Sequence, residues 1–183
     1  MSDNINLKET TKQCFRQAII AETADKKETV SMVMAPNKVD LSVLGKTVFL
    51  AGTIDGGKSD NWQRKFYKAL KEKCRQKVTI FNPRRDEWPD DHSNEVRNQI
   101  RWEHEYLDKA DFIVMNILPD SKSPITLMEM GMFAESGKLM VFCQKDFYRY
   151  DNVDMVCKRY DIPLYNHNDI DKMVDSFLYQ IKK

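Results

Sequence analysis

The stretch ADFIVMNILPDSKSPITLMEMGMFAESGKLMVFC, Ala110 to Cys143, decides the fold. Phe112-Ile113-Val114-Met115-Asn116-Ile117 is a near-continuous apolar run, as in a strand buried on both faces. Leu118 to Pro124 reads as a loop, and the helix after it holds Thr126-Leu127-Met128-Glu129 in its first turn. Gly137 closes that helix, and Leu139-Met140-Val141-Phe142-Cys143 is the next buried strand. Glu129 then lies just beyond the carboxyl end of a parallel strand, at a helix N-terminus, where open α/β sheets bind their ligands. It is the first candidate for a reactive group.

Working outward, the same alternation repeats. Thr47 to Gly52 reads as a buried strand, followed by the loop Gly52-Thr53-Ile54-Asp55-Gly56-Gly57-Lys58-Ser59 and a helix with Trp62, Phe66, Ala69 and Leu70 on one face. Val78 to Phe81 is a further strand, left by the loop Asn82-Pro83-Arg84-Arg85-Asp86-Glu87-Trp88-Pro89. Glu95 to Asp108 has helical spacing, Ile162 to Tyr165 suits an edge strand, and Asn168 to Ile181 is an amphipathic helix. Strand and helix in turn predict an α/β fold: a single flavodoxin-like (Rossmann-like) domain over residues 47–183, with a five-stranded, mostly parallel sheet and helices on both faces. Residues 1–46 read as an N-terminal extension, with a helix at Lys8 to Ala24 and a possible edge strand at Val30 to Met34.

Composition narrows the function. A chain of 183 residues is long enough for one domain with a sizeable core and argues against a second. A net charge of +1 without a basic block gives no case for a nucleic-acid polymer or a membrane surface as partner. Cys14, Cys74, Cys143 and Cys157 show no C-x-x-C spacing and read as reduced thiols. No stretch is long enough to span a bilayer and the polar N-terminus lacks a signal-peptide core, so a cytoplasmic location is expected.

Three strand ends converge by topology: Gly52 to Ser59, Asn82 to Trp88, and Pro119 to Glu129. The glycine loop lets backbone N–H groups approach an anion, or serves only as a tight turn; it is neither a P-loop nor a dinucleotide fingerprint. Arg84 and Arg85 beside Trp88 suit a phosphate and a stacked base, or plain surface charge. Glu103 shares a helical face with Ile100 and Leu107, which implies a task or a salt-bridge partner for a carboxylate on an apolar stripe. Tyr148, in the loop after the Phe142 strand, is a candidate to lid the pocket. Thr126-x-x-Glu129 also fits a capping box, in which Glu129 would only satisfy the helix end. No metal-ligand cluster is visible, and His92, His104 and His167 are scattered.

Val48 to about Phe142 resembles the nucleoside 2-deoxyribosyltransferase superfamily, which includes the 2'-deoxynucleoside 5'-phosphate N-hydrolases. Val48-Phe49-Leu50-Ala51-Gly52-Thr53-Ile54-Asp55-Gly56-Gly57 resembles the family's first strand and glycine loop, written G-S-I-R-G-G in the hydrolases. Glu103-x7-Asp111 resembles the segment bearing an acidic proton-handling residue, which is usually Asp. Met128-Glu129-Met130-Gly131, with Gly137-Lys138 behind it, resembles the motif bearing the nucleophilic glutamate. Six residues before that glutamate the transferases carry an Asp, whereas Ser123 stands here, as in the monophosphate hydrolases.

The resemblance implies cleavage of the N-glycosidic bond of a 2'-deoxyribonucleoside or its 5'-monophosphate, with deoxyribosyl transfer to another base or to water. Glu129 would be the nucleophile, through a covalent glycosyl intermediate, and Glu103 the proton carrier. Thr53, Gly56, Gly57 and Ser123 would cradle the sugar or phosphate, Trp88 and Tyr148 would stack the base, and Gly52, Asp55, Asn82, Arg84 and Met128 complete the expected substrate-binding set. No cofactor is needed, and a homodimer or higher homo-oligomer is expected. A catalytically silent nucleotide-binding or sensing module on the same fold is the alternative.

Overall fold

Every strand that the sequence alternation marks out becomes part of one parallel sheet. The computed structural model describes residues 29–86 and 92–182. Its elements are β1 (Val30–Met34), β2 (Lys46–Gly52), α1 (Trp62–Lys73), β3 (Val78–Asn82), α2 (His92–Lys109), β4 (Phe112–Ile117), α3 (Pro124–Phe133), β5 (Leu139–Cys143), α4 (Tyr150–Arg159), β6 (Leu164–Tyr165) and α5 (Ile170–Gln180). The expected helix at Lys8 to Ala24 lies outside the described residues.

The sheet runs β1-β3-β2-β4-β5-β6, with each neighbouring pair parallel. It has six strands among the described residues, where the sequence reading expects five. The additional strand is β1, which precedes residue 47 and pairs with β3 from Val30↔Val78 to Met34↔Asn82. Its pattern alternates weakly because only Val30 is buried. β3, buried at every position, takes it as the outer neighbour that satisfies its free edge.

Period-2 alternation divides the core between the two faces. Phe49, Ala51, Ile113, Met115 and Ile117 point toward Trp102 and Tyr106 of α2, Met130 and Phe133 of α3, and Val153 of α4. Val48, Leu50, Val114 and Phe142 point the other way, toward Trp62, Phe66 and Leu70 of α1 and Met173, Val174 and Phe177 of α5. Phe66 and Phe177 meet with ring centroids 5.9 Å apart.

Without β1 the order β3-β2-β4-β5-β6 is that of a doubly wound sheet whose direction of winding reverses between β2 and β4. The loops leaving those two strands must part there, which opens a crevice at their carboxyl ends. β2 feeds the glycine loop and β4 feeds the loop into α3, so topology alone brings Gly52 and Ser123 together.

Candidate active site

At the carboxyl end of β2 the chain passes very close to β4. Gly52 has φ 136°, and a Cβ there would stand 2.2 Å from the main-chain oxygen of Asn116, so only glycine fits. Beyond it Asp55, Gly56 and Gly57 all have positive φ. Two buried side chains tie this turn down. Trp62 Nε1 donates to Thr53 O at 3.0 Å. Arg84 donates through Nη2 to Gly57 O at 2.7 Å and Ser59 O at 2.8 Å, and through Nη1 to Asp60 O at 3.0 Å. Arg84 is thus committed to loop carbonyls rather than turned to a ligand, and Asn82 accepts from the Arg84 amide at 3.0 Å.

Across the crevice, Ser123 caps α3 at φ 43°, ψ 47° without bonding a helix amide through its side chain. Its hydroxyl instead lies 2.7 Å from Thr53 Oγ1 and 2.6 Å from Ser121 Oγ, and the latter two are 3.0 Å apart. This buried triangle of hydroxyls joins the β2 and β4 loops. Thr53 and Ser123 fit it by position in the sequence; Ser121 was missed, because only the turn at Leu118–Ser121 folds it back (Ser121 Oγ to Leu118 O, 2.9 Å).

With Ser123 as N-cap, Thr126 is a third helical residue and no acidic residue falls in the first turn. The capping box considered for Thr126 and Glu129 is therefore not formed, and Glu129 stands beyond the free amides of the helix start. The helix end does not hold it ionised. Burial, reinforced by the nearby Glu103 charge, pushes its carboxyl up to about 8. No hydrogen bond to the carboxyl group offsets this among the described residues.

Glu103 faces the same space from α2. Trp102, Tyr106 and Leu107 form the buried stripe of that helix, whereas Ile100 is 45% exposed and lines the crevice with Glu103. The salt bridge considered for Glu103 is not formed among the described residues; Gln99 Nε2 donates to Glu103 Oε1 at 2.8 Å. Burial raises the Glu103 carboxyl, while Gln99, His104 and Arg85 pull it back down. The sequence carries a signal for Gln99, four residues before Glu103 on one helical face, but its typical surface preference hid it.

Both carboxyl groups line one cavity of about 560 Å3. Gly52, Thr53, Asp55, Gly56, Ser123 and Met128 border it, joined by His104 and by an apolar wall of Val96, Ile100 and Ile125. Gly57, Asn82 and Arg84 support the loop without bordering the cavity. Tyr148 lies elsewhere: it lines a second hollow between α3 and α4, and its hydroxyl donates to Lys122 O at 3.3 Å. Trp88 lies outside the described residues. Among the described residues no group of three His, Cys, Asp or Glu is placed to hold a metal ion, and no helix is long and apolar enough to cross a membrane.

An open parallel α/β sheet with two interacting carboxyl groups in one crevice at its switch point defines a class of small-molecule site suited to acid–base or nucleophilic chemistry. The family model described as "Nucleoside 2-deoxyribosyltransferase like" matches residues 45–147, more than half of the chain. The chain belongs to that family. The matched span contains both carboxylates, the glycine loop and the hydroxyl triangle. A search of curated proteins found no match to the chain.

Proposed function

We propose that this protein cleaves the N-glycosidic bond of a 2'-deoxyribonucleoside 5'-monophosphate or its nucleoside, passing the deoxyribosyl group to water or to a second base. The observation that carries the reading is the pairing of Glu103 and Glu129 in one cavity, with the anion-compatible start of α3 beside them. A cavity of about 560 Å3 has the capacity for such a ligand.

Glu129 acts as nucleophile. A carboxylate oxygen bonds to C1' as the C1'–N bond breaks, and the bonding electron pair leaves with the base. Glu103 gives its proton to the base nitrogen. In the second half, water or an incoming base attacks C1', Glu103 takes the proton of that group, and the bond to Glu129 breaks. The pair must therefore hold one proton between them. With Glu129 held up to about 8 by burial, the resting protein keeps that proton on Glu129, and the reactive arrangement arises when it is carried on Glu103 instead.

Ser123 supports a phosphorylated substrate. Its hydroxyl is neutral where an Asp would repel a 5'-phosphate. Its side chain leaves the amides of Ile125 and Thr126, behind the N–H-less Pro124, uncapped, and Ser123, Pro124, Ile125 and Thr126 all border the cavity. Helix N-termini of this kind bind phosphate. The glycine loop braced by Arg84 faces the sugar.

We further propose that a second copy of the chain covers α3. Apart from Thr126 and Glu129 that helix is apolar, yet Ile125, Met128 and Met132 are 50% or more exposed. A helix this apolar belongs in a buried setting.

The test is chromatography of free base released from deoxynucleosides and their 5'-monophosphates, with and without a second base, by the wild-type protein and Glu129→Ala. Release from monophosphates, abolished in the variant, is expected. Nucleotide binding with no turnover of any substrate would remove the enzymatic reading and leave a binding module.

A further inference from the structure

The amide of Gln99 is held on three sides. Its Oε1 accepts from Arg85 Nε at 2.7 Å, and its Nε2 donates to Pro83 O at 2.8 Å and to Glu103 Oε1 at 2.8 Å. Only one orientation satisfies all three contacts. A guanidinium only donates, and a main-chain carbonyl and a carboxylate only accept, so turning the amide over would set donor against donor. Arg85 is fixed in turn: its side chain is 5% exposed and its Nη1 donates to Glu95 Oε2 at 2.9 Å. The chain Glu95–Arg85–Gln99 therefore ends on one chosen oxygen of Glu103.

We propose that Arg85 and Gln99 are a positioning pair that commits Oε1 of Glu103 to accepting a hydrogen bond and confines the proton this residue carries to Oε2. The inference rests on the reading of Glu103 as proton carrier. An oxygen receiving an N–H at 2.8 Å cannot also bear a proton along that line without two hydrogens meeting. Each proton transfer then runs through the same atom, so the leaving base and the incoming acceptor meet one geometry. A rotating carboxyl group would offer the proton in several directions and lose that alignment. The donated hydrogen bond also favours the ionised form of Glu103 against its burial.

The groups facing Glu103 are Glu129 from α3, Arg85 from the segment after β3, and Gln99 and His104 on α2 itself; Asp55 of the glycine loop borders the same cavity. Of these, only Gln99 bonds the carboxylate among the described residues.

The test is a 13C-NMR titration of protein labelled at the glutamate side-chain carboxyls, with the Glu103 resonance assigned by its loss in Glu103→Gln. Wild type is compared with Gln99→Met, which keeps the volume and removes the donor. Base release from a deoxynucleoside 5'-monophosphate is followed in parallel. Glu103 is expected to titrate at higher pH in Gln99→Met, with kcat lowered on the order of tenfold and KM little changed. Arg85→Lys keeps the charge but loses the fork that holds the amide, and should move the titration the same way by less. A folded Gln99→Met whose Glu103 titrates as in wild type overturns the proposal. Should Gln99→Met fail to fold, an unmoved Glu103 in Arg85→Lys overturns it equally. If wild type releases no base but the titration still moves in Gln99→Met, the positioning pair stands and the catalytic reading falls.

Discussion

Replacing Glu129 by glutamine should flatten the dependence of folding stability on pH. The carboxyl group rises from its ordinary value of 4.5 to about 8 because folding takes it out of water and sets it near Glu103. Below pH 4.5 it is protonated in the folded and unfolded chain alike and does not affect their balance. Between 4.5 and about 8 the unfolded chain releases the proton while the folded chain keeps it. Stability must then fall as pH rises, by about 1.4 kcal/mol per pH unit. Carried across that whole window, the loss is on the order of 5 kcal/mol, comparable with the entire stability of many domains. Glutamine occupies the same volume, keeps a polar group and cannot ionise. Urea unfolding of wild type and Glu129→Gln at pH 5 and pH 8.5 measures the difference directly, through the midpoint at constant m-value. The wild type should weaken strongly between the two conditions and the variant far less, so that the variant is the more stable protein at the higher pH. Equal pH slopes in the two proteins would refute the claim that burial of Glu129 dominates its chemistry.

Three further outcomes follow from the same geometry. Because the carboxyl pair must hold one proton, kcat/KM for base release should fall above about pH 8, where the pair loses its last proton, and a pH–rate profile reads this. Arg84→Met removes the clamp on Gly57, Ser59 and Asp60; it should cost about 2–4 kcal/mol in urea unfolding and raise KM, since the loop beside the cavity loses its brace. Met132→Asp places a charge on the uncovered face of α3, where Met132 is 53% exposed; sedimentation velocity should show a shift to monomer with the fold retained.

Much of the site was legible because strand ends and helix starts follow from local signals. The apolar run Phe112–Ile117 and the cluster of glycines at Gly52–Gly57 each act through a few neighbouring residues. Glu129 stood out by its place just beyond a strand end at a helix start, and Glu103 because a carboxylate on an apolar helical stripe is costly wherever the chain places it. Arg84 and Tyr148 were harder to read. The guanidinium of Arg84 turns inward to carbonyls 24 to 27 residues away, and Tyr148 folds toward Lys122 rather than over the cavity. Long polar side chains choose their partners from whatever the fold brings near, and their own sequence neighbours do not constrain that choice.

The sequence by itself determined the alternation of strand and helix and picked out the two candidate carboxylates, since these depend on periodicity, on local strand-end and helix-start signals and on the cost of burying charge. The observed sheet order placed the switch point. Only the tertiary structure decided that β1 joins the sheet, because a weakly patterned strand is recruited by the free edge of β3. It also set the helix start at Ser123, releasing Glu129 from a capping role, and it shifted the two carboxyls differently, lifting Glu129 to about 8 while Gln99 draws Glu103 back down. That last outcome turns on two environments, one carboxyl buried without a donor and the other reached by Gln99. Desolvation and hydrogen bonding are properties of the assembled pocket, and no single stretch of chain contains them.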